Sequence, residues 1–228
     1  MEPNPPGNAP FDSKLELPAH LDELASVTRG FMPKEEGETL AFFALKTLLE
    51  RPNHKSFGKI VEVGSYCGLS TIYLGFVASK SNSIVISVDH HYGSIENSSG
   101  WQYHDSQLVD PETNSLDTLY RFRRTIALSN LQNTVVAIVS DSSLASSAII
   151  DSVDLVFIDG GHATEVAWRD YLNYAPKIRR GGTLAIHDVF EDPSLGGRPP
   201  YEIYCDALNS NNFQEIYTQG SLKILRRN

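Results

Sequence analysis

Cysteine is scarce. The chain has two, Cys67 and Cys205, far apart and in no C-x-x-C spacing, which argues against a disulfide scaffold and a structural zinc site. Positive charge is also in deficit: 19 Lys and Arg face 28 Asp and Glu, a net charge of −9. A nucleic-acid binder needs a basic footprint, so that class is disfavoured. No stretch of about 18 consecutive apolar residues occurs, so no membrane-spanning helix is expected. The N-terminal MEPNPPGNAPFDSK lacks the basic start and apolar core of a secretory signal, and a cytoplasmic location is the expectation. What remains is an ordinary globular composition, 41% apolar and 21% charged over 228 residues. That is enough chain for a full sheet with helices on both faces.

The Pro/Asn/Gly-rich residues 1–14 read as a mobile arm. Residues 19–29 and 36–51 read as helices, the second stopped by Pro52. From there apolar strands alternate with helices. The strands are GKIVEVG, SIVISVD, TVVAIVSD, VDLVFID and TLAIHD. The helices between them are LSTIYLGFVASK, SLDTLYRFRRTIALSN, SSLASSAIID and TEVAWRDYLNYAPKI, the last closed by RRGG. Pro199 and Pro200 open a further helix, and FQEIYTQ and SLKILRR pair across Gly220 as an antiparallel hairpin. Continuous Val/Ile/Leu strands alternating with helices imply a doubly wound parallel sheet, here with an antiparallel edge. Residues 90–112 form a long polar loop, a type that is usually functional or disordered.

In such a sheet, ligands bind outside the carboxyl ends of the strands. Acids and histidines stand there in series: Glu62, Asp89-His90-His91, Asp141, Asp159 and His187-Asp188. One acid at a strand end is unremarkable, whereas five form a ring around one crevice. The first turn, EVGSYCGLST, has G-x-x-x-G in place of the dinucleotide pattern G-x-G-x-x-G, which disfavours a pyrophosphate cofactor. Asp89, at the next strand end, suits two vicinal ribose hydroxyls. A ribose-bearing ligand without a pyrophosphate remains. For FIDGGH two readings compete, a plain strand-to-helix turn or a catalytic rim. Asp141 before Ser142 equally suits a helix N-cap.

These motifs, in this order from residue 57 to the C-terminus, resemble the class I S-adenosylmethionine-dependent methyltransferases. VEVGSYCGLST resembles their first motif, VDHH their ribose-binding acid and VSDSS their adenine-side turn. The resemblance implies a seven-stranded, mostly parallel, Rossmann-like α/β sheet over 57–228, with residues 15–56 as an N-terminal helical cap. It assigns S-adenosylmethionine contacts to Glu62, Gly64, Ser65, Gly68, Ser70, Asp89, His90, Asp141, Ser142 and Asp159. FIDGGHATEVAWRDYL and GGTLAIHDVF further resemble the small-molecule O-methyltransferases that use a divalent metal. In those terms Asp159, His187 and Asp188 hold Mg²⁺ or another divalent cation, and His162 is the base. His187 departs from the acidic pair or Asp-Asn usual there; as a softer ligand it favours Mn²⁺ or Zn²⁺ over Mg²⁺. Relatives associate through their N-terminal helices, which implies a homodimer through residues 19–51.

The function expected is methyl transfer from S-adenosylmethionine to a hydroxyl of a small molecule, a natural product, sugar or phenol. Alignment of the nucleophile with the methyl group supplies much of the catalysis, and a histidine removes the hydroxyl proton. The loop 90–112 is expected to close over the acceptor, with Trp101, Tyr103 and His104 as substrate contacts. Two rivals share the fold class, a non-catalytic nucleotide-cofactor-binding protein and a nicotinamide-dependent oxidoreductase. The intact strand-end acids oppose the first, and the missing third glycine opposes the second. No Asn/Asp-Pro-Pro-Tyr/Phe motif follows the fourth strand, which disfavours amino methylation of nucleic acid or protein.

Overall fold

β1 (Gly58–Val63) and β6 (Val153–Ile158) are almost wholly buried along their lengths. This is why both read as unbroken apolar runs: each is a central strand covered on both faces. The computed structural model describes residues 13–52, 56–94, 97, 100, 104–150 and 152–228. Most of the expected arm, residues 1–14, lies outside them. The remaining elements, in chain order, begin with α1 (Ala19–Val27), α2 (Lys34–Leu49), α3 (Leu69–Lys80) and β2 (Ser83–Asp89). A two-residue pair, β3 (Val109–Asp110) and β4 (Ser115–Leu116), follows, and then α4 (Leu119–Leu128), β5 (Val135–Val139) and α5 (Ser142–Ala148). After β6 come α6 (Thr164–Tyr174), β7 (Ile178–Ile186), α7 (Arg198–Asn209), β8 (Phe213–Gln219) and β9 (Leu222–Arg227).

Seven strands form one sheet in the order β5-β2-β1-β6-β7-β9-β8. β5, β2, β1, β6 and β7 run parallel, while β9 and β8 are antiparallel. The order reverses between β1 and β6, so a crevice opens there at the carboxyl ends of the strands. Among the described residues no helix is long and apolar enough to cross a membrane.

Strand side chains alternate between faces, and the core splits accordingly. Ile60, Leu155, Phe157 and Ala185 pack on one face with Leu40, Phe43 and Leu48 of α2 and Ile72 and Leu74 of α3. Val61, Val156, Leu184 and Ile186 pack on the other with Tyr171 and Tyr174 of α6 and Ile203 and Ala207 of α7. α2 is thus part of the first face's core.

Besides shifts of one or two residues at helix ends, two segments differ from expectation. The RRGG segment, expected to close the helix after β6, lies inside β7. The β6–β7 register jumps from Val153↔Ile178 to Leu155↔Thr183, leaving a bulge that includes Gly181 at φ +71°. Arg179 is pulled into this strand by Asp154 (2.7 Å) and the Thr47 carbonyl (2.8 Å). The helix expected from residue 115 begins at Leu119, because Ser115 and Leu116 pair with β3, and Thr118 N–H bonds the His91 carbonyl.

Candidate active site

The turn from β1 into α3 forms the floor of the crevice. Gly64 sits at φ +87°, and a Cβ there would lie 2.3 Å from the Asp159 carbonyl oxygen, so only glycine lets this turn and the end of β6 lie side by side. Gly68, at φ +92°, is the N-cap of α3. The Asp89 carboxylate accepts from Ser65 N–H (2.9 Å), Tyr66 N–H (2.8 Å) and His91 N–H (2.7 Å). A carboxylate has about four acceptor positions, so the acid that the sequence assigns to ribose first braces the turn and keeps one position for a ligand. Ser65 lines the crevice, and among the described residues its buried Oγ has no hydrogen-bond partner. An orphan of this kind calls for a polar ligand.

Glu62 and Ser70 stand differently from the reading that made both cofactor contacts. Glu62 is fully buried and accepts from Ser70 Oγ (2.6 Å), Thr71 Oγ1 (2.6 Å) and Ser87 Oγ (2.9 Å). Burial pushes its carboxyl up to about 7 against those three donors. Glu62 therefore holds α3 and β2 against β1 beneath the turn, and Ser70, although on the crevice wall, gives its hydroxyl to Glu62. Burial likewise pushes the Cys67 thiol up to about 12, which leaves it unreactive.

Toward β5 the wall is made by His90, Ser140, Asp141, Ser142 and, from α6, Arg169 and Asp170. Asp141 caps α5, accepting from Ser143 N–H (2.9 Å) and Leu144 N–H (3.3 Å), and pairs with Arg169 (3.2 Å). Its N-cap role is thus realised, in a side chain that also faces the crevice. His90 Nδ1 accepts from Tyr92 N–H (3.0 Å), and the two rings stack.

At the ends of β6 and β7, the expected trio converges. His187 Nδ1 is 2.9 Å from Asp159 Oδ1 and 3.5 Å from Asp188 Oδ2. His162 Nε2 is 3.2 Å from Asp188 Oδ2. Asp188 reaches this position with a left-handed backbone, φ +54°, an uncommon state for an aspartate. The sequence reading missed a fourth member. Glu36 of α2 meets His187 Nε2 at 2.6 Å and accepts from Ser221 N–H (2.6 Å) and Ser221 Oγ (3.1 Å). A signal existed: Glu36 shares the buried helical stripe of Leu40 and Phe43, where an acid must have a partner.

Burial disfavours a charged His187, yet Asp159, Asp188 and Glu36 around its ring hold its pKa well above 6.5. Burial also works against Asp188, but hydrogen bonds from both histidines keep its carboxyl well below the usual carboxylate range. Asp159, His187 and Asp188 each present one donor atom, all within 4.8 Å of one another. Two oxygens and an imidazole nitrogen fit a divalent ion such as Mn²⁺ or Zn²⁺ better than Mg²⁺. Glu36 on Nε2 is the outer carboxylate that a metal-ligating histidine normally has. The nitrogen that would meet such an ion is the one 2.9 Å from Asp159, so an ion there would displace any proton it carries.

Gly64, Ser65, Ser70, Asp89, His90, Asp141, Ser142, Asp159, His162 and Asp188 face one cavity of about 810 Å³, within the range of about 300–1,000 Å³ for small-molecule sites; Glu62, Gly68, Glu36 and His187 do not line it. Beyond His162 its wall is apolar: Phe31, Met32, Tyr66, Phe190 and Leu195. Arg29 ties the α1–α2 linker to Asp105 and Gln107 of the long loop. Of the expected substrate contacts, Trp101 and Tyr103 lie outside the described residues. His104 is not among the residues that line the cavity, and its Nδ1 lies 3.0 Å from the carbonyl of Asn97, which does line it.

Residues 61–189, more than half of the chain, match the model of a family described as a methyltransferase domain. Among solved structures, the chain is similar to the O-methyltransferase NovP, at 17% identity and TM-score 0.63, over 91% of this chain and 98% of that one. It is similar to the methyltransferase PaMTH1 of Podospora anserina, bound to S-adenosylhomocysteine, at 12% identity and TM-score 0.61, over 93% and 89%. An rRNA methylase of Streptococcus thermophilus also matches, at 13% identity and TM-score 0.55, over 86% and 99%. At these identities the likeness is one of fold.

Proposed function

The chain belongs to the family defined by this methyltransferase domain, and from that premise we propose that it transfers the methyl group of S-adenosylmethionine to a hydroxyl of a small molecule. One observation carries the reading. His162, Asp188 and Asp159 line the same cavity as Gly64, Ser65 and Tyr66 of the β1–α3 turn and Asp89. A methyl donor seated on the turn and an acceptor beside His162 would therefore meet in one cavity.

The sulfonium is already a good leaving group, so the protein's task is alignment of the acceptor oxygen and removal of its proton. His162 takes the proton in this reading. Asp188, 3.2 Å from its ring, orients it and stabilises the imidazolium that forms. Asp159, His187 and Asp188 would hold a divalent cation, whose contribution is to lower the pKa of the acceptor hydroxyl. The apolar wall of Phe31, Met32, Phe190 and Leu195 suits the carbon skeleton of a small acceptor. The acidic surface and a cavity of this size favour such an acceptor over RNA, although the fold is also similar to that of an rRNA methylase.

Transfer of labelled methyl to a panel of hydroxylated small molecules tests the reading. His162→Ala should lower kcat by about 10²–10⁴-fold, the usual worth of a positioned base, with little change in the KM for S-adenosylmethionine. Unchanged kcat in that variant would remove His162 from the mechanism. Full activity after EDTA treatment, together with full activity of Asp159→Ala, would remove the metal.

A further inference from the structure

Asp170 has no role in the chemistry described so far, yet it is placed as a binding group. It lies mid-way along α6 and is 2% exposed. One carboxylate oxygen accepts from Ser142 Oγ. Among the described residues the other oxygen has no hydrogen-bond partner. It lies directly under Gly160, where a Cβ would stand 2.9 Å from it. Asp170 lines the cavity between the ends of β5 and β6. Its neighbour Arg169 makes its ion pair with Asp141 and acts on Asp170 only through its nearby charge. Burial pushes the Asp170 carboxyl up to about 6, the mark of an acid held without enough partners.

The cavity is polar at that end in a specific sense. Asp89, with its remaining acceptor position, marks where ribose hydroxyls would sit. His90, Gly160, Gly161 and Val166 line the same cavity with Ser142 and Asp170. A flat heteroaromatic ring attached to that ribose would point its far edge at Ser142 and Asp170. The Ser142 hydroxyl is already donated, and what faces the ring is an unpartnered acceptor, which calls for a ligand donor. On an adenine edge the exocyclic amino group is such a donor, whereas hypoxanthine and guanine carry a carbonyl oxygen at that position.

We propose that Asp170 is a cofactor-specificity residue, its free carboxylate oxygen accepting a hydrogen bond from the exocyclic amino group of the adenosyl moiety. The inference rests on the reading of this cavity as the S-adenosylmethionine site. A site built to bond a particular polar group rejects an analogue that lacks it, because the buried partner is then left unsatisfied.

Isothermal titration of the full chain with S-adenosyl-L-homocysteine and with its analogue that carries unsubstituted purine in place of adenine tests it. The two ligands differ only at the 6-position, amino in the first and hydrogen in the second, and N1 stays an acceptor in both. The wild type should bind the adenosyl compound about 10- to 100-fold more tightly, the range of a hydrogen bond to a charged group. Asp170→Ala should bring the two affinities to within about threefold of each other. The ratio is taken on one protein sample, so a partly unfolded variant does not distort it. Equal affinities in the wild type, or an undiminished ratio in Asp170→Ala, would overturn the role of Asp170. Failure of the wild type to bind either ligand would instead overturn the cofactor reading, and the proposal with it.

Discussion

Replacing Asp170 by asparagine should make the protein more stable at neutral pH, and the size of the gain can be worked from its surroundings. Burial moves the carboxyl from its ordinary 3.8 to about 6. At about 1.36 kcal/mol per unit, a shift of roughly two units costs about 3 kcal/mol once the group is ionised in the folded chain. Below 3.8 both folded and unfolded chains hold the proton and nothing is lost. Between 3.8 and about 6 the unfolded chain ionises while the folded one resists, so stability falls as pH rises; above about 6 the whole penalty is present. Asparagine keeps the shape and can still accept from Ser142 without titrating. Thermal denaturation at pH 4, 6 and 8 should therefore show Asp170→Asn melting roughly 6–12 °C above the wild type at pH 8, at about 2–4 °C per kcal/mol for a chain of this size. The gap should close toward pH 4. Parallel curves for the two proteins, or a variant less stable at pH 8, would refute the account of Asp170 as an under-partnered buried charge. A gain in stability on removing a cavity acid is also what a residue kept for binding should show.

Two further perturbations test the frame of the site. In Glu36→Gln, one carbonyl oxygen must serve donors from both His187 and Ser221, so a buried donor is left over. Breaking one side of a buried ion pair costs about 3–5 kcal/mol, and melting should fall by roughly 6–20 °C; an unchanged melting temperature would show that Glu36 does not hold His187. In Gly64→Ala, the added Cβ meets the Asp159 carbonyl at a backbone angle that L-residues avoid. Affinity for S-adenosylhomocysteine should drop at least about tenfold, the equivalent of about 1.4 kcal/mol, and wild-type affinity by titration would mean that the turn and the end of β6 are not held together as described.

Much of the fold was legible because its strands are doubly covered. β1 and β6 read as unbroken apolar runs, and each polar residue that ended a run marked a strand's carboxyl end. Asp89, Asp141, Asp159, His162 and Asp188 were found in this way, and all five line the cavity. What their carboxylates do was less legible. Asp89 and Asp141 take backbone N–H groups because of the local turn geometry, which residue type alone does not reveal. The β3–β4 pair was missed because strands of two residues have no period, and RRGG was misplaced because a bulge around Gly181 looks, in sequence, like a helix end. The cavity wall from Arg29 to Met32 lies in a short linker with no motif, and only the packing of α1 and α2 brings it to the site.

The residues whose roles were hardest to see share one property: they are acids on buried faces. Glu36 stands on the stripe of Leu40 and Phe43, and Asp170 on that of Ala167, Tyr171 and Tyr174. Glu62 interrupts the apolar run of β1. A helix or strand pattern by itself treats such a residue as a blemish on an otherwise good element. Physically it is the reverse, because an ionised carboxylate out of water is costly unless something compensates it. Glu62 has three hydroxyls and Glu36 has His187 and Ser221, and both acids brace the site from behind. Asp170 has one hydroxyl and an open oxygen. By the same reasoning that makes the first two structural, the third awaits a partner, and the space it faces is where a ligand would supply one.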